Sequence, residues 1–464
     1  MLFDRINPMT GEVASQAAAM TAEDIPAMAA RAEAAFHAWK QTGPNARRAL
    51  LMEAAHQIEL RTEAFAEAMQ AEIGATREFA LTNVRLAAAT VREAGAITTQ
   101  IQGEVIPSDK PGCLAMALRE PVGVLVGMAP WNAPIVLGVR AICVPLACGN
   151  TVILKASESC PRTHGLIAEA FAAAGFPDDV VNLVTHSAQD GPEVVCALID
   201  APEVKRINFT GSTHVGRIIA RRAAEHLKPC VLELGGKAPL LVLEDADIDH
   251  AVRAAAFGAF TNSGQICMST ERIIVVDAVA DEFTRKFAEK ARNLSTTAPG
   301  EGGALGPVIG MPTVERVNRL IDDALSKGAS LLCGGTAEGI LMPATAIDGV
   351  TPAMGLYRDE TFGPVVAIIR ARDEADAVRI ANDTQYGLSA SVFTQDTARG
   401  LRIARQINSG ICHVNGPTIH DEPQMPFGGL GASGYGRFGG KAGIESFTEL
   451  RWITLESGPG HYPI

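Results

Sequence analysis

No run of lysine and arginine occurs anywhere in the 464 residues, and the formal charge is −12. Nucleic acids and anionic membranes are held through a basic footprint, so neither is expected as a partner, and small molecules are left. Cys-x-x-Cys pairs are absent too. The nine cysteines, at 113, 143, 148, 160, 196, 230, 267, 333 and 412, are odd in number and irregularly spaced. That pattern suits a reducing compartment, so a cytoplasmic location is expected, and no metal site is. The start of the chain, Met1-Leu2-Phe3-Asp4-Arg5, lacks the charged-then-apolar layout of a leader, so export is not expected. The one long apolar passage, Val122 to Cys148, is broken by Trp131-Asn132-Ala133-Pro134 and carries Arg140. It therefore reads as a buried strand followed by a buried helix, not a membrane span. There is no internal repeat and no low-complexity segment.

The chain is long for a single core, and 47% of its residues are hydrophobic, so two or three well-buried domains are expected. Residues 21 to 102 carry apolar positions at helical spacing. Thr21 with Asp24 resembles a capping box, Pro44 suits a first helical position and Gly74 a stop. From about residue 114 the pattern changes to short β-prone runs. Strands at 151–154, 180–184, 206–209 and 231–234 alternate with helices at 161–174, 190–199 and 213–227, which predicts crossover units and a parallel sheet. A second alternating series follows between 247 and 415, and residues 450–455 form a last strand beyond the glycine-rich stretch 428–440.

Several short segments carry chemistry. Ser263-Gly264-Gln265-Ile266-Cys267-Met268 places a cysteine just past a glycine, where the backbone turns sharply; Cys267 is a candidate nucleophile, or one of nine cysteines filling core volume. Thr210-Gly211-Ser212 and Gly216 end a strand and open a helix, an arrangement that admits a phosphate. Lys155 and Glu158 follow a strand and suit either a ribose or a solvated strand end. Glu233, ahead of Gly235-Gly236-Lys237, suits a cleft carboxylate with a raised pKa or an acid capping a turn. Beside these stand Pro130-Trp131-Asn132 and Glu360-Thr361-Phe362-Gly363-Pro364.

Together with Asn7-Pro8, Asn382, Tyr386-Gly387-Leu388 and Pro426-Phe427-Gly428-Gly429, these segments resemble the aldehyde dehydrogenase superfamily in order and spacing over nearly the whole chain. The resemblance implies an α/β fold: a Rossmann-like NAD domain (1–107 and 122–234), an α/β catalytic domain (235–448) and a small β oligomerisation element (108–121 and 449–464), assembled as a homodimer or homotetramer. It implies Cys267 as nucleophile, the Asn132 amide with the Cys267 N–H as oxyanion donors, and Glu233 as general base. It implies Lys155 and Glu158 at the adenine ribose, Ser212 at the pyrophosphate, Glu360 with Phe362 at the nicotinamide ribose, and Trp131, Gly211, Gly216 and Gly235 as further cofactor-binding residues. A carboxylate at Glu158 would repel a 2′-phosphate, so NAD is expected over NADP. Many relatives carry a glutamate after the arginine of the C-terminal glycine-rich stretch; here Arg437 is followed by Phe438.

The wording around Cys267, the run Arg206 to Thr213 and the ending Tyr462-Pro463-Ile464 are most similar to dehydrogenases of salicylaldehyde, vanillin and benzaldehyde. An aromatic aldehyde is therefore the expected substrate, with Ala133, Leu137, Arg140, Ile266, Met268 and Phe427 as pocket residues. Arg140 suits a ring hydroxyl or, in its more ordinary role, a structural ion pair. An aliphatic aldehyde or a semialdehyde stays open as substrate, and so does a catalytically silent binding protein of the same fold.

Overall fold

The computed structural model describes residues 1–459 and 462–464. Its centre is two parallel sheets whose strand ends face one cleft. The first sheet runs, in space, Val181–Val184, Thr151–Lys155, Val124–Met128, Val204–Thr210 and Cys230–Glu233, all parallel, with Gly434–Tyr435 added antiparallel at the edge. Chain order and spatial order reverse beside Val124–Met128. A crevice opens outside the carboxyl ends of the strands at such a reversal, and ligands bind there. The second sheet runs Ser330–Cys333, Thr345–Asp348, Val365–Ala371, Thr270–Val276, Ala238–Val242, Ser389–Phe393 and Ile411–Val414, antiparallel only at its first pair.

The N-terminal helices form where the spacing predicts them, as Ile25–Trp39, Pro44–Leu60, Thr62–Ile73 and Arg77–Ala96. Pro44 opens its helix, where a missing N–H costs nothing, and Gly74 closes another at φ +71. The Thr21–Asp24 capping box forms, with Asp24 accepting from the Thr21 N–H at 2.8 Å. The helix Pro134–Ala147 is buried on every face, Arg140 included, as befits a segment clamped between the first sheet and the N-terminal helices.

Several elements depart from the expected pattern. Leu2–Ile6 and Val13–Ala18 form a hairpin, and Ala238–Val242 is a central strand whose five residues are all buried. A continuous apolar run has no period, so Ala238–Val242 left no strand signature. The three-stranded sheet pairs Cys113–Pro121 with Thr448–Glu456 through nine residues of antiparallel register, and adds Glu104–Ile106. Residues 104–106 therefore belong with this small sheet and not with segment 1–107, and Gly434–Tyr435, within 235–448, pairs into the first sheet. Of segment 449–464, residues 460 and 461 lie outside the described residues. No helix among the described residues is long and apolar enough to cross a membrane.

Candidate active site

Cys267 is presented by a strained turn. The helix Ile248–Phe260 ends, and three consecutive residues take left-handed conformations: Asn262 at φ 50°, Ser263 at φ 55° and Gly264 at φ 70°. For the two non-glycine residues this costs roughly 1–2 kcal/mol each. Long-range bonds hold the turn. The Asn262 side-chain amide donates to the Asn132 carbonyl at 2.9 Å, and the Ser263 hydroxyl donates to the Gly306 carbonyl at 2.7 Å. The Gln265 side chain accepts from the Ile309 N–H at 2.9 Å. A Cβ on Gly264 would lie 2.1 Å from the Gly363 carbonyl oxygen, which is backbone and cannot step aside. Gly264→Ala is therefore expected to destroy both activity and cooperative unfolding, measured by NADH formation and by a thermal melt.

Glu233 ends the Cys230–Glu233 strand, fully buried, and neither carboxylate oxygen has a hydrogen-bond partner among the described residues. Burial, with lesser help from the charges of Glu360 and Asp421, pushes its carboxyl up to about 7, while the neighbouring Cys267 thiol and Arg140 pull it down. Burial also raises the Cys267 thiol well above its ordinary value, and the charges of Glu233 and Glu360 add to this against Arg140. Neither group ionises easily where it lies, and a carboxyl that titrates near 7 suits a general base. Asn132 reaches the same place from the first sheet. Its Nδ2 donates to the Gln265 carbonyl at 3.0 Å, which uses one N–H and leaves the other for an incoming oxygen.

These groups open onto a cavity of about 760 Å³ along the strand ends, whose walls include Trp131, Asn132, Lys155, Glu158, Gly211, Ser212, Glu233, Gly235, Cys267, Glu360 and Phe362. Lys155 and Glu158 face each other at 3.8 Å. Ser212 is the N-cap of the helix Thr213–Glu225, its hydroxyl accepting from the Val215 N–H at 3.3 Å. Gly216 lies inside that helix, where a Cβ would come within 2.5 Å of Leu234, so the missing side chain lets the helix pack closely on the strand end. Gly235 lines the cavity, and a Cβ there would lie 2.4 Å from a Glu360 carboxylate oxygen. Trp131 and Phe362 meet edge to face at 5.8 Å.

Among the expected pocket residues, Leu137, Ile266, Met268 and Phe427 are buried members of the large apolar core that extends under the N-terminal helices, and Ala133 and Cys267 pack against that core. Arg140 lies over the Phe427 ring at 4.4 Å and forms a buried ion pair with Asp421, its more ordinary expected role. Phe438 is buried against Phe447 with ring centroids 6.0 Å apart, so no carboxylate enters the site from that position.

Four residues of the site carry no assignment in the sequence reading. Glu271 and Lys237 form a buried ion pair at 2.6 Å beneath the turn 360–362, Arg316 lines the cleft, and Asp421 neutralises Arg140. A charged residue in the β-prone run Thr270-Glu271-Arg272 was the available signal, because a charge inside a buried strand requires a partner.

The Aldehyde dehydrogenase family model matches residues 1–453. The vanillin dehydrogenase of Pseudomonas fluorescens is 54% identical over 463 residues, covering 100% of this chain and 96% of that one. The NAD(+) benzaldehyde dehydrogenase of Pseudomonas putida is 38% identical, covering 99% and 94%. The crystal structure of a salicylaldehyde dehydrogenase from Pseudomonas putida G7 complexed with salicylaldehyde superposes with a TM-score of 0.98 at 49% identity, covering 100% of this chain and 96% of that chain. With a part-buried cysteine, a buried carboxyl held near neutrality and a side-chain amide converging at the mouth of a dinucleotide-sized cleft, the chain belongs to the aldehyde dehydrogenase family.

Proposed function

We propose that this enzyme oxidises aromatic aldehydes to carboxylic acids with NAD. The observation that carries the reading is the juxtaposition of Cys267 with a fully buried, unpartnered Glu233 at the cleft wall. Cys267 gives its proton to Glu233 and attacks the carbonyl carbon, forming a thiohemiacetal. The free Asn132 N–H and the Cys267 backbone N–H hold the oxyanion. Bound NAD would supply the hydride acceptor that thioester formation requires. Once Glu233 has released the thiol's proton to solvent, it takes a proton from the water that cleaves the thioester and returns it to the departing Cys267 thiolate, regenerating the thiol. With Phe438 where many relatives place an acid, this proton has Glu233 as its acceptor.

The fit to a dinucleotide rests on the cleft's place at the strand-order reversal and on the seat that Gly235 leaves for Glu360. Lys155 and Glu158 would hold the adenine ribose, and Glu360 the other ribose. A 2′-phosphate would meet the Glu158 carboxylate, so NAD is favoured over NADP. The apolar cluster of Leu137, Ile266, Met268 and Phe427 supports a flat ring, as do the names of the relatives. Arg140, paired with Asp421, is poorly placed to anchor the distal carboxylate of a semialdehyde. The exposed apolar residues Leu450 and Trp452 on the strand Thr448–Glu456 favour a homodimer or homotetramer, and nine unpaired cysteines favour a cytoplasmic location.

A panel of benzaldehyde, salicylaldehyde, vanillin, hexanal and succinic semialdehyde, each with NAD and NADP, tests the reading. The aromatic aldehydes are expected to exceed the other two in kcat/KM by about tenfold or more. NAD is expected to exceed NADP by about tenfold or more. Equal rates on hexanal and benzaldehyde would remove the aromatic assignment, and equal efficiency with both cofactors would remove the role given to Glu158.

A further inference from the structure

Beneath the cleft, one carboxylate ties together three segments that are distant in sequence. Glu271 lies on the strand that follows Cys267, with its side chain almost wholly buried. Its Oε2 accepts from Lys237 Nζ at 2.6 Å, and Lys237 Nζ also donates to the Thr361 hydroxyl at 3.1 Å. The same carboxylate accepts the Thr361 N–H, at 2.9 Å on one oxygen and 2.8 Å on the other, and the Phe362 N–H at 3.0 Å. Phe362 stands at φ 45°, a left-handed conformation that an unrestrained phenylalanine avoids. From the opposite side, Arg316 donates to the carbonyls of Glu360 and Thr361. The turn 360–362 is thus gripped by its N–H groups from below and by its carbonyls from beside the cleft.

The turn carries Glu360 and Phe362. Glu360 Oε1 accepts the Gly236 N–H at 2.9 Å, which seats the side chain against Gly235 and Gly236. A Cβ on Gly236 would lie 2.3 Å from the Cys267 carbonyl oxygen, so this seat is packed directly on the nucleophile's own backbone. Lys237, next in the chain, closes the circuit to Glu271. A buried ion pair is a poor means of stabilising a fold, since apolar residues of the same volume often do as well or better. Its useful property here is direction: two fixed charges orient a turn that sequence alone would not hold.

We propose that Glu271 and Lys237 are positioning residues for the nicotinamide end of the cofactor. They set Glu360 and Phe362 at a fixed distance from Cys267 without touching cofactor or substrate themselves. The inference rests on the NAD-dependent reading of the cleft and extends it to residues outside the cleft wall.

The test separates cofactor placement from nucleophile chemistry. An activated ester such as p-nitrophenyl acetate acylates Cys267 and is hydrolysed with Glu233 and water, without hydride transfer and without NAD. In Glu271→Gln, dehydrogenase kcat/KM is expected to fall about 10²-fold through misplacement of the reacting carbon. The NAD dissociation constant, measured by calorimetry, is expected to rise about tenfold by analogy with losses of supporting residues around bound ligands. Ester hydrolysis is expected to stay within about threefold of the parent. Because Glu271→Gln leaves the Lys237 charge buried without its partner, at a cost to folding, Lys237→Met/Glu271→Gln removes both charges and is measured alongside. The same split between the two activities is expected there with a cooperative melt retained. Unchanged NAD affinity in a folded variant overturns the proposal. So does a parallel loss of ester hydrolysis and dehydrogenase activity, which would mark a purely structural pair. A parent enzyme that oxidises no aldehyde would fail the functional reading, whereas an active parent whose NAD affinity ignores Glu271 fails only this inference.

Discussion

Glu233→Gln is expected to release close to one NADH per active site in a rapid burst and then to turn over about 10²–10⁴-fold more slowly than the parent. Glutamine keeps the shape and burial of the side chain but cannot take a proton from water, so the thioester accumulates. The burst survives with water in place of Glu233 as acceptor of the thiol proton, because the Glu233 charge is, after burial, one of the causes that raise the Cys267 thiol, and a neutral amide removes that opposition to thiolate. A normal steady-state rate in rapid-mixing experiments would end the assignment. In the parent, turnover should rise with pH through about 7 as Glu233 loses its proton. Stability runs the other way. The folded-state value, about 7, lies above the ordinary 4.5, so the contribution of this carboxyl is fully present below about 4.5 and is lost as pH rises through 7. Glu233→Gln should therefore melt higher than the parent at pH 8 and equal to it near pH 4, a gain in stability at the expense of function.

Cys267→Ala is expected to lose both the burst and steady turnover, by about 10⁴-fold or more, while binding NAD as the parent does. Only the nucleophilic atom is removed, and the side chain is part-buried at a cavity wall, so the fold has little reason to change. A residual burst would mean that another thiol performs the chemistry. Cys143 and Cys148 are poor candidates, buried in the apolar core with burial pushing both thiols up to about 12. The Cys267 thiol is also raised, so ease of ionisation does not single it out. What distinguishes it is the carboxyl beside it and the cleft in front.

Much of this site was legible in the chain because its parts lie at the ends of predictable elements. Asn132, Lys155, Ser212 and Glu233 each follow a strand of the first sheet, and strand-then-helix alternation fixes where such ends converge. The second sheet was harder to read. Ala238–Val242 is buried on both faces and alternates with nothing, so the strand that carries Lys237 into the core was invisible to periodicity. Glu271 and Arg316 escaped for a different reason: their roles depend on backbone groups of the turn 360–362, and no spacing rule connects positions some 90 and 44 residues apart. Gly216 carries a second constraint that spacing did not reveal, a leucine packed against the helix where a Cβ would stand.

The left-handed run Asn262-Ser263-Gly264 bears on how the enzyme comes into being. Its geometry is held by groups at 132, 306 and 309, and it must clear the carbonyl of Gly363. None of these is a near neighbour in the chain, and the local bonds, from the Gln265 backbone and side-chain amides to the Asn262 carbonyl, are few beside them. A nascent or refolding polypeptide can complete its helices, and even its first sheet, while the catalytic thiol still points in no particular direction. The thiol's orientation therefore depends on distant parts of the chain having come together, and labelling of Cys267 during refolding is expected to report that assembly rather than helix or strand content.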